Sequence, residues 1–192
     1  MAAPEQMKGK ISKVLMHPNS LTMFRVMAVP LLIILLLFDN RITAALAAFV
    51  FSVAAITDYL DGYIARRYGL VSNLGKILDP LADKMLVSTA FIMLIPLERV
   101  PAWIVCVIIG RELAITGFRN IISEHGDDAS ASMLGKYKTG FQIAAIIPLL
   151  IHFTYFRLDF HMIGTLLLWI ALVFTVWSGV DYIVRFRKYI EY

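Results

Sequence analysis

Asp58, Asp61, Asp79 and Asp83 fall in one short stretch, 58–83, of a chain that is 59% hydrophobic. The first two are three residues apart and the second two four apart, so on helices each pair shares a face within one turn. If the two helices are antiparallel neighbours joined by a short connection, all four carboxylates converge on one small volume. Left unpaired they repel, and a single Asp at the centre of a bilayer costs about 2.5–3.5 kcal/mol on insertion scales. Lys76 and Lys84 can offset part of this charge, but a divalent ion does so better. The donors are hard oxygens with no His or Cys among them, which favours Mg²⁺ or Mn²⁺ over Zn²⁺. Four carboxylates can hold two such ions about 3.5–4 Å apart, an arrangement that clamps the attacking and leaving oxygens of a phosphoryl transfer.

Gly62, Ala65 and Gly75 leave bare backbone beside the acids, where a flat or bulky group such as a nucleotide can approach. Arg66 adds a fork suited to phosphate. The same small residues also serve close packing of helices in a membrane.

The elements that must position these groups are apolar. The chain has 192 residues, 17% of them charged, and a mean hydropathy of +0.75, values that do not suit a water-soluble globule. Several apolar stretches approach the roughly 20 residues that cross a bilayer as a helix. The expectation is one all-α integral membrane domain over residues 1–192, with six transmembrane helices and no secretory signal. Their expected ranges are Leu21 to Phe38, with a kink at Pro30, Ile42 to Ala65, Lys76 to Pro96, Ala102 to Ser123, Gly135 to Phe156, bent at Pro148, and Met162 to Arg187. A juxtamembrane arm, 1–17, precedes them. Within it Met7 to Met16, with Lys8, Lys10 and Lys13, suits either a short amphipathic helix on an anionic surface or a solvated tail.

Of the 18 Lys and Arg, all but Arg41, Arg99 and Arg157 fall in four groups: the N-terminal arm through Arg25, 66–84, 111–138, and the C-terminal Arg185, Arg187 and Lys188. That asymmetry places both termini and the acid-rich stretch on the cytoplasmic side. The net charge of +4 is modest, and no nucleic-acid partner is expected. Cys106 is the one cysteine, which excludes an intrachain disulfide; its apolar neighbours suggest inert packing. Trp103, Trp169 and Trp177 suit interfacial or packing positions. The stretch 124–132 is polar and rich in small residues and reads as a loop. His17, His125, His152 and His161 receive no role.

The pattern Asp58-x2-Asp61-Gly62-x2-Ala65-Arg66-x8-Gly75-x3-Asp79-x3-Asp83 reproduces the signature of the CDP-alcohol phosphatidyltransferase family, and the resemblance covers nearly the whole chain. It implies six transmembrane helices, an active site on the cytoplasmic side and homodimers. It also implies a CDP-linked lipid, CDP-diacylglycerol, whose pyrophosphate lies on two divalent cations, Mg²⁺ or Mn²⁺. An alcohol then attacks the β-phosphorus and CMP leaves. By the same resemblance Asp58 and Asp79 bridge both metals and Asp61 completes one site. Asp83 touches the second metal and takes the proton from the attacking hydroxyl. Gly62, Ala65, Arg66, Ser72 and Gly75 belong to the CDP-lipid site. "PNSLT", Pro18 to Thr22, resembles the family's first-helix start and adds Asn19 and Thr22 as cytidine contacts; both residue types also suit a helix cap.

The acceptor must be read from the second half. Arg111 lies roughly 15 Å along the fourth helix from Pro101, while Glu112 is expected on another part of the surface. Arg111 therefore meets either an Asp of the cluster or an anionic ligand. Arg119 and Lys136 extend this into a cationic pocket for an acceptor phosphate, whereas Lys138 suits headgroup contact. "GRELAITGFRN" (110–120) and "LGKYKTG" (134–140) are similar to segments of those family members whose acceptor is sn-glycerol 3-phosphate. Phosphatidylglycerol or an inositol phosphate are the alternative acceptors. A divalent-cation or proton-coupled transporter is the alternative of another class, since intramembrane acids mark ion paths. Against it, the acids gather at one end of the helices and do not line a path across.

Overall fold

The computed structural model describes residues 18–68, 73–124, 133–155 and 158–187, and the side chains of 23–57, 82, 84–122, 133–154 and 158–187. The arm 1–17, Ser72 and the 125–132 segment lie outside the described residues. Six helices follow in order among those described: α1 (Pro18–Leu36), α2 (Arg41–Tyr68), α3 (Asn73–Leu94), α4 (Ala102–Glu124), α5 (Met133–Ile151) and α6 (Phe160–Arg185). A two-residue antiparallel pair, β1 (Thr154–Tyr155) with β2 (Leu158–Asp159), joins the last two.

Short polar side chains start two of the helices. Asn40 Oδ1 accepts the N–H groups of Ile42 and Thr43, both at 3.0 Å, and Asp159 Oδ1 accepts that of Met162 at 3.1 Å. Each satisfies amides that the first turn of a helix leaves without a carbonyl. Pro30 and Pro148 lie inside α1 and α5, where each withholds one N–H from the helix ladder.

The fifth helix departs from expectation. It ends at Ile151, short of Phe156, because His152 takes a left-handed conformation with φ 58°, and the chain then enters the β hairpin. The end is sealed from outside the helix. Arg99 Nη1 donates to the carbonyls of Leu149 and Leu150 at 3.3 and 2.8 Å, two of the acceptors that a helix C-terminus leaves open. Its Nη2 donates to Asp39 Oδ1 at 2.5 Å. The third helix likewise stops at Leu94, before Pro96, in a turn where Glu98 has φ 56°.

These contacts fix the topology. Arg99 joins the α3–α4 connection to the α1–α2 connection and to the end of α5, and Arg41 lies 5.2 Å over the Phe153 ring. Three connections therefore share one end of the bundle and the helices alternate in direction. The C-terminal end of α2 and the N-terminal end of α3 meet at the opposite end, which is where the acid-bearing stretch lies. α1 packs against both α2 and α3, whose mutual contact is slight, and α5 lies against α2, α3 and α6. α4 and α6 run parallel: Trp103 at the start of α4 lies 5.7 Å from Trp169 in α6, and further along both helices Arg111 Nη2 donates to Ser178 Oγ at 3.0 Å. α5 runs against α6, with Phe141 stacked on Phe174 at 5.1 Å and Gln142 Nε2 donating to Thr175 Oγ1 at 3.2 Å. The pair approaches closely because Gly164 has no Cβ; one placed there would fall 2.6 Å from Leu149 Cγ.

The core draws on all six helices. Leu32, Phe51, Phe91, Ile104, Leu149 and Leu168 are each fully or almost fully buried. Ala47 and Ala54, one on each side of Phe51 along α2, let neighbouring backbones approach. A second, smaller cluster forms where Ile115 and Ile122 of α4 meet Tyr182 of α6. Cys106 is exposed on α4 and is not the packing group its apolar neighbours suggested. Neighbours in sequence leave open which face of a helix a residue occupies. By length and composition, α6 is the one described helix long and apolar enough to cross a bilayer, with a mean hydropathy of 2.0.

Candidate active site

Asp58 and Asp61 lie in α2, and Asp79 and Asp83 in α3, each pair within unbroken helix. At 1.5 Å per residue the members of a pair are separated by about 4.5 Å and 6 Å along the axis. Both pairs lie toward the end of the bundle opposite Arg99. Gly62, Ala65 and Arg66 follow on α2 and Gly75 precedes on α3. The side chains of all these residues lie outside those described. Asn19 and Thr22 lie inside the first turns of α1, so neither is the residue that caps it.

The described part of the site is built on one stretch of α4, from Arg111 to Arg119. Glu112 Oε1 accepts from Arg111 Nη1 at 3.3 Å and from Lys138 Nζ of α5. Arg111 reaches Ser178 of α6, over Gly179, where an added Cβ would lie 3.3 Å from Arg111 Cγ. Thr116 Oγ1 donates to the Glu112 carbonyl at 2.6 Å and accepts from Lys84 Nζ of α3. One helical segment thus gathers polar groups from three neighbouring helices. Lys84 directly follows Asp83, so its bond to Thr116 joins the acid-bearing helix to this segment.

Four cations surround one described acid. Lys84, Arg111 and Lys138 each interact electrostatically with the Glu112 carboxylate, and each is repelled by Arg119. Arg119 lies 5.7 Å over the Tyr182 ring, a cation–π contact. Donors are left over: Arg111 Nε, Arg119 Nε and the Tyr182 hydroxyl are buried without a hydrogen-bond partner among the described residues. A buried donor without an acceptor costs about 1–3 kcal/mol. Among the described residues this stretch therefore has more cations than acids, and donors without acceptors.

Of the residues expected to bind an acceptor phosphate, Arg111 and Arg119 are brought together and Lys136 is not. Lys136 is exposed, whereas Lys138, expected at the headgroups, is 4% exposed and paired with Glu112. Residues two apart on a helix stand about 200° from each other, so the two lysines cannot share a face. Glu112 was expected to point away from Arg111; both side chains are long enough to close the 100° step between adjacent residues. Arg25 was counted only as a topological charge, yet it is 1% exposed on α1. The available signal was its place in an apolar run against α2 and α3. Asp181 accepts from Arg185 Nε at 3.0 Å, one turn on.

Residues 15–177 match the family model for CDP-alcohol phosphatidyltransferases. The chain is similar to a Bacillus subtilis (strain 168) protein named CDP-diacylglycerol–glycerol-3-phosphate 3-phosphatidyltransferase, 44% identical over 177 residues, covering 86% of this chain and 92% of the relative. Proteins of the same name from Rickettsia felis and Haemophilus influenzae are 35% and 31% identical. These matches cover 90% and 86% of this chain, and 96% and 90% of the respective relatives. With the signature at 58–83 set on two adjoining helices and a family match over most of its length, the chain belongs to the CDP-alcohol phosphatidyltransferase family.

Proposed function

We propose that this protein is a phosphatidyltransferase that moves the phosphatidyl group of CDP-diacylglycerol to sn-glycerol 3-phosphate, giving phosphatidylglycerophosphate and CMP. The single observation that carries the choice of acceptor is the cation-rich stretch of α4, joined by Lys84 to the helix that bears Asp79 and Asp83. An acceptor alcohol with its own phosphate brings an anion to cations and donors that the described residues leave in excess. The relatives that are similar over most of the chain carry that activity in their names.

In the reaction, the acceptor hydroxyl oxygen bonds to the β-phosphorus of the CDP-lipid. The bond from that phosphorus to the bridging oxygen breaks, CMP takes the electron pair, and Asp83 takes the hydroxyl proton as general base. Arg111, Arg119 and Lys138 hold the acceptor phosphate by charge-assisted hydrogen bonds; Lys136 remains on the exposed side. Asn19, Thr22, Gly62, Ala65, Arg66, Ser72 and Gly75 form the CDP-lipid site. A donor set of four carboxylates, two on each of α2 and α3 at one-turn spacing, fits two hard divalent ions, Mg²⁺ or Mn²⁺. When bound by Asp58, Asp61, Asp79 and Asp83 they would neutralise charge on the diphosphate oxygens.

All six helices span the cytoplasmic membrane in this proposal, with both termini and the site on the cytoplasmic side and the chain paired as a homodimer. The outward faces support the spans. Met27, Ile34, Phe49, Ile92, Leu113, Leu166 and Val173 are exposed while Arg25, Arg99 and Lys138 are buried, the reverse of what water selects. The excess of Lys and Arg at the site end supports the orientation.

The test is a transfer assay with purified protein, CDP-diacylglycerol and labelled sn-glycerol 3-phosphate. Label entering the lipid phase with equimolar CMP is expected, and both should cease with a chelator. CMP release with phosphatidylglycerol or an inositol phosphate but not with glycerol 3-phosphate would reassign the acceptor. Metal uptake into vesicles without CMP release would point to a transporter.

A further inference from the structure

We propose that Glu112 is a positioning residue that sets affinity for the acceptor: its carboxylate holds Lys138 and Arg111 where the acceptor phosphate binds, and takes no part in binding the CDP-lipid. The inference rests on the acceptor assignment above and adds a residue to it. Glu112 lies outside the 58–83 signature and is not a cation, so the search for phosphate-binding groups does not select it.

The geometry carries the argument. A single oxygen, Oε1, receives both the Lys138 ammonium and Arg111 Nη1. Lys138 is 4% exposed, and a buried ammonium without a counter-ion is costly enough to move or to lose its proton. Arg111 is stretched between Glu112 and Ser178, which fixes its fork and leaves its Nε without a partner among the described residues. Repulsion among Lys84, Arg111, Arg119 and Lys138 would spread them apart in a medium of low dielectric. A shared carboxylate holds two of the four in place before any substrate arrives. An anion can then bind to cations already aimed, which avoids ordering two long side chains on binding.

Glu112 can do this because Thr116 and Gly179 fix its surroundings. The Thr116 hydroxyl bonds back to the Glu112 carbonyl, and Gly179 leaves room for the Arg111 stem. Replacing the carboxylate by an amide keeps the size but removes the charge that attracts both cations.

The experiment measures KM for sn-glycerol 3-phosphate and for CDP-diacylglycerol in nanodiscs, for wild type, Glu112→Gln, Glu112→Asp, Lys138→Met and the double variant Glu112→Gln/Lys138→Met. Glu112→Gln is expected to raise the acceptor KM at least about tenfold, the smaller end of what a charge-assisted hydrogen bond contributes. The CDP-lipid KM should stay within about twofold, and Glu112→Asp should recover part of the loss. The double variant should raise the acceptor KM above that of Lys138→Met, because Arg111 also loses its anchor, but by less than the product of the two single effects, because residues acting as one unit do not add. An acceptor KM that is unchanged or lower in Glu112→Gln overturns the proposal, as do equal rises in both KM values or multiplying effects in the double variant. Should Glu112→Gln fail to fold, Lys138→Met decides: a wild-type acceptor KM there would overturn the idea that the held ammonium matters. Wild-type protein that turns over other acceptors but not glycerol 3-phosphate would instead remove the acceptor assignment, and this inference with it.

Discussion

Two arginines, one buried and one partly buried, stand at opposite levels of the same bundle and meet different company. Arg99 is 3% exposed and closes on what surrounds it: one guanidinium nitrogen takes two carbonyls at the end of α5, and the other takes Asp39. Burial pushes its pKa down and Asp39 offsets part of that. Arg111 is held by Glu112 and Ser178, but it also feels Lys84, Arg119 and Lys138, two of which interact with the same acid. One centre is balanced and ties three connections together; the other, among the described residues, carries surplus charge and unfilled donors. A balanced buried pair does structural work, since removing one partner strands the other. A surplus that the described side chains do not neutralise is what a charged substrate can complete.

The largest effect that separates the two centres is expected at Asp83. Asp83→Asn should lower kcat by about 10²–10⁴-fold, the usual contribution of a general base, with the melting temperature close to wild type. Normal turnover in this variant would remove Asp83 as the base and weaken the contrast between a chemical end and a structural end. Next, Arg119→Ala should raise the acceptor KM by about 10-fold or more, and by more than it raises the CDP-lipid KM. The opposite pattern in steady-state kinetics would mean that the two pockets are exchanged.

Arg99→Met should do the reverse. It removes three hydrogen bonds and leaves the α5 carbonyls open, for a loss of about 2–3 kcal/mol, while both KM values hold. Asp39 is 58% exposed, so its share of that loss is small. Denaturant unfolding in detergent beside the kinetic assay checks both halves; a changed acceptor KM would mean that the two centres are coupled. The smallest effect is one of pH. His152 is held below its ordinary pKa by burial, then by Arg99 and by His161, with Asp39 and Asp159 opposing. The unfolded chain therefore binds the proton more readily, so stability is complete above about pH 6.5 and falls as pH drops toward the folded value. Melting temperatures between pH 7.5 and 5.5 should decline, and His152→Asn, which tolerates the left-handed backbone, should flatten that decline.

Much of this molecule was legible residue by residue. The four aspartates at one-turn spacing, the apolar runs and the basic groups at alternate turns gave six helices in the right order, with the acids on the second and third. Those signals are local: periodicity, charge and helix rise operate over a few residues. The ends were less legible. α5 stops at Ile151 because Arg99, far away in the chain, serves its carbonyls, and no property of residues 148–156 announces that. The 136–138 pair was read with the wrong member inward because two lysines in an apolar helix look alike until a neighbour supplies a carboxylate.

The sequence by itself determined the family and the helices, because each depends on spacing along one element. Only the tertiary structure decided which cations gather around Glu112, which lysine is buried, and that Lys84 bridges the acidic helix to α4. Those outcomes depend on the rotation of each helix about its axis. That rotation is set by the packing of Gly164 on Leu149, Gly179 on Arg111 and the alanines around Phe51, and by contacts between residues far apart in the chain.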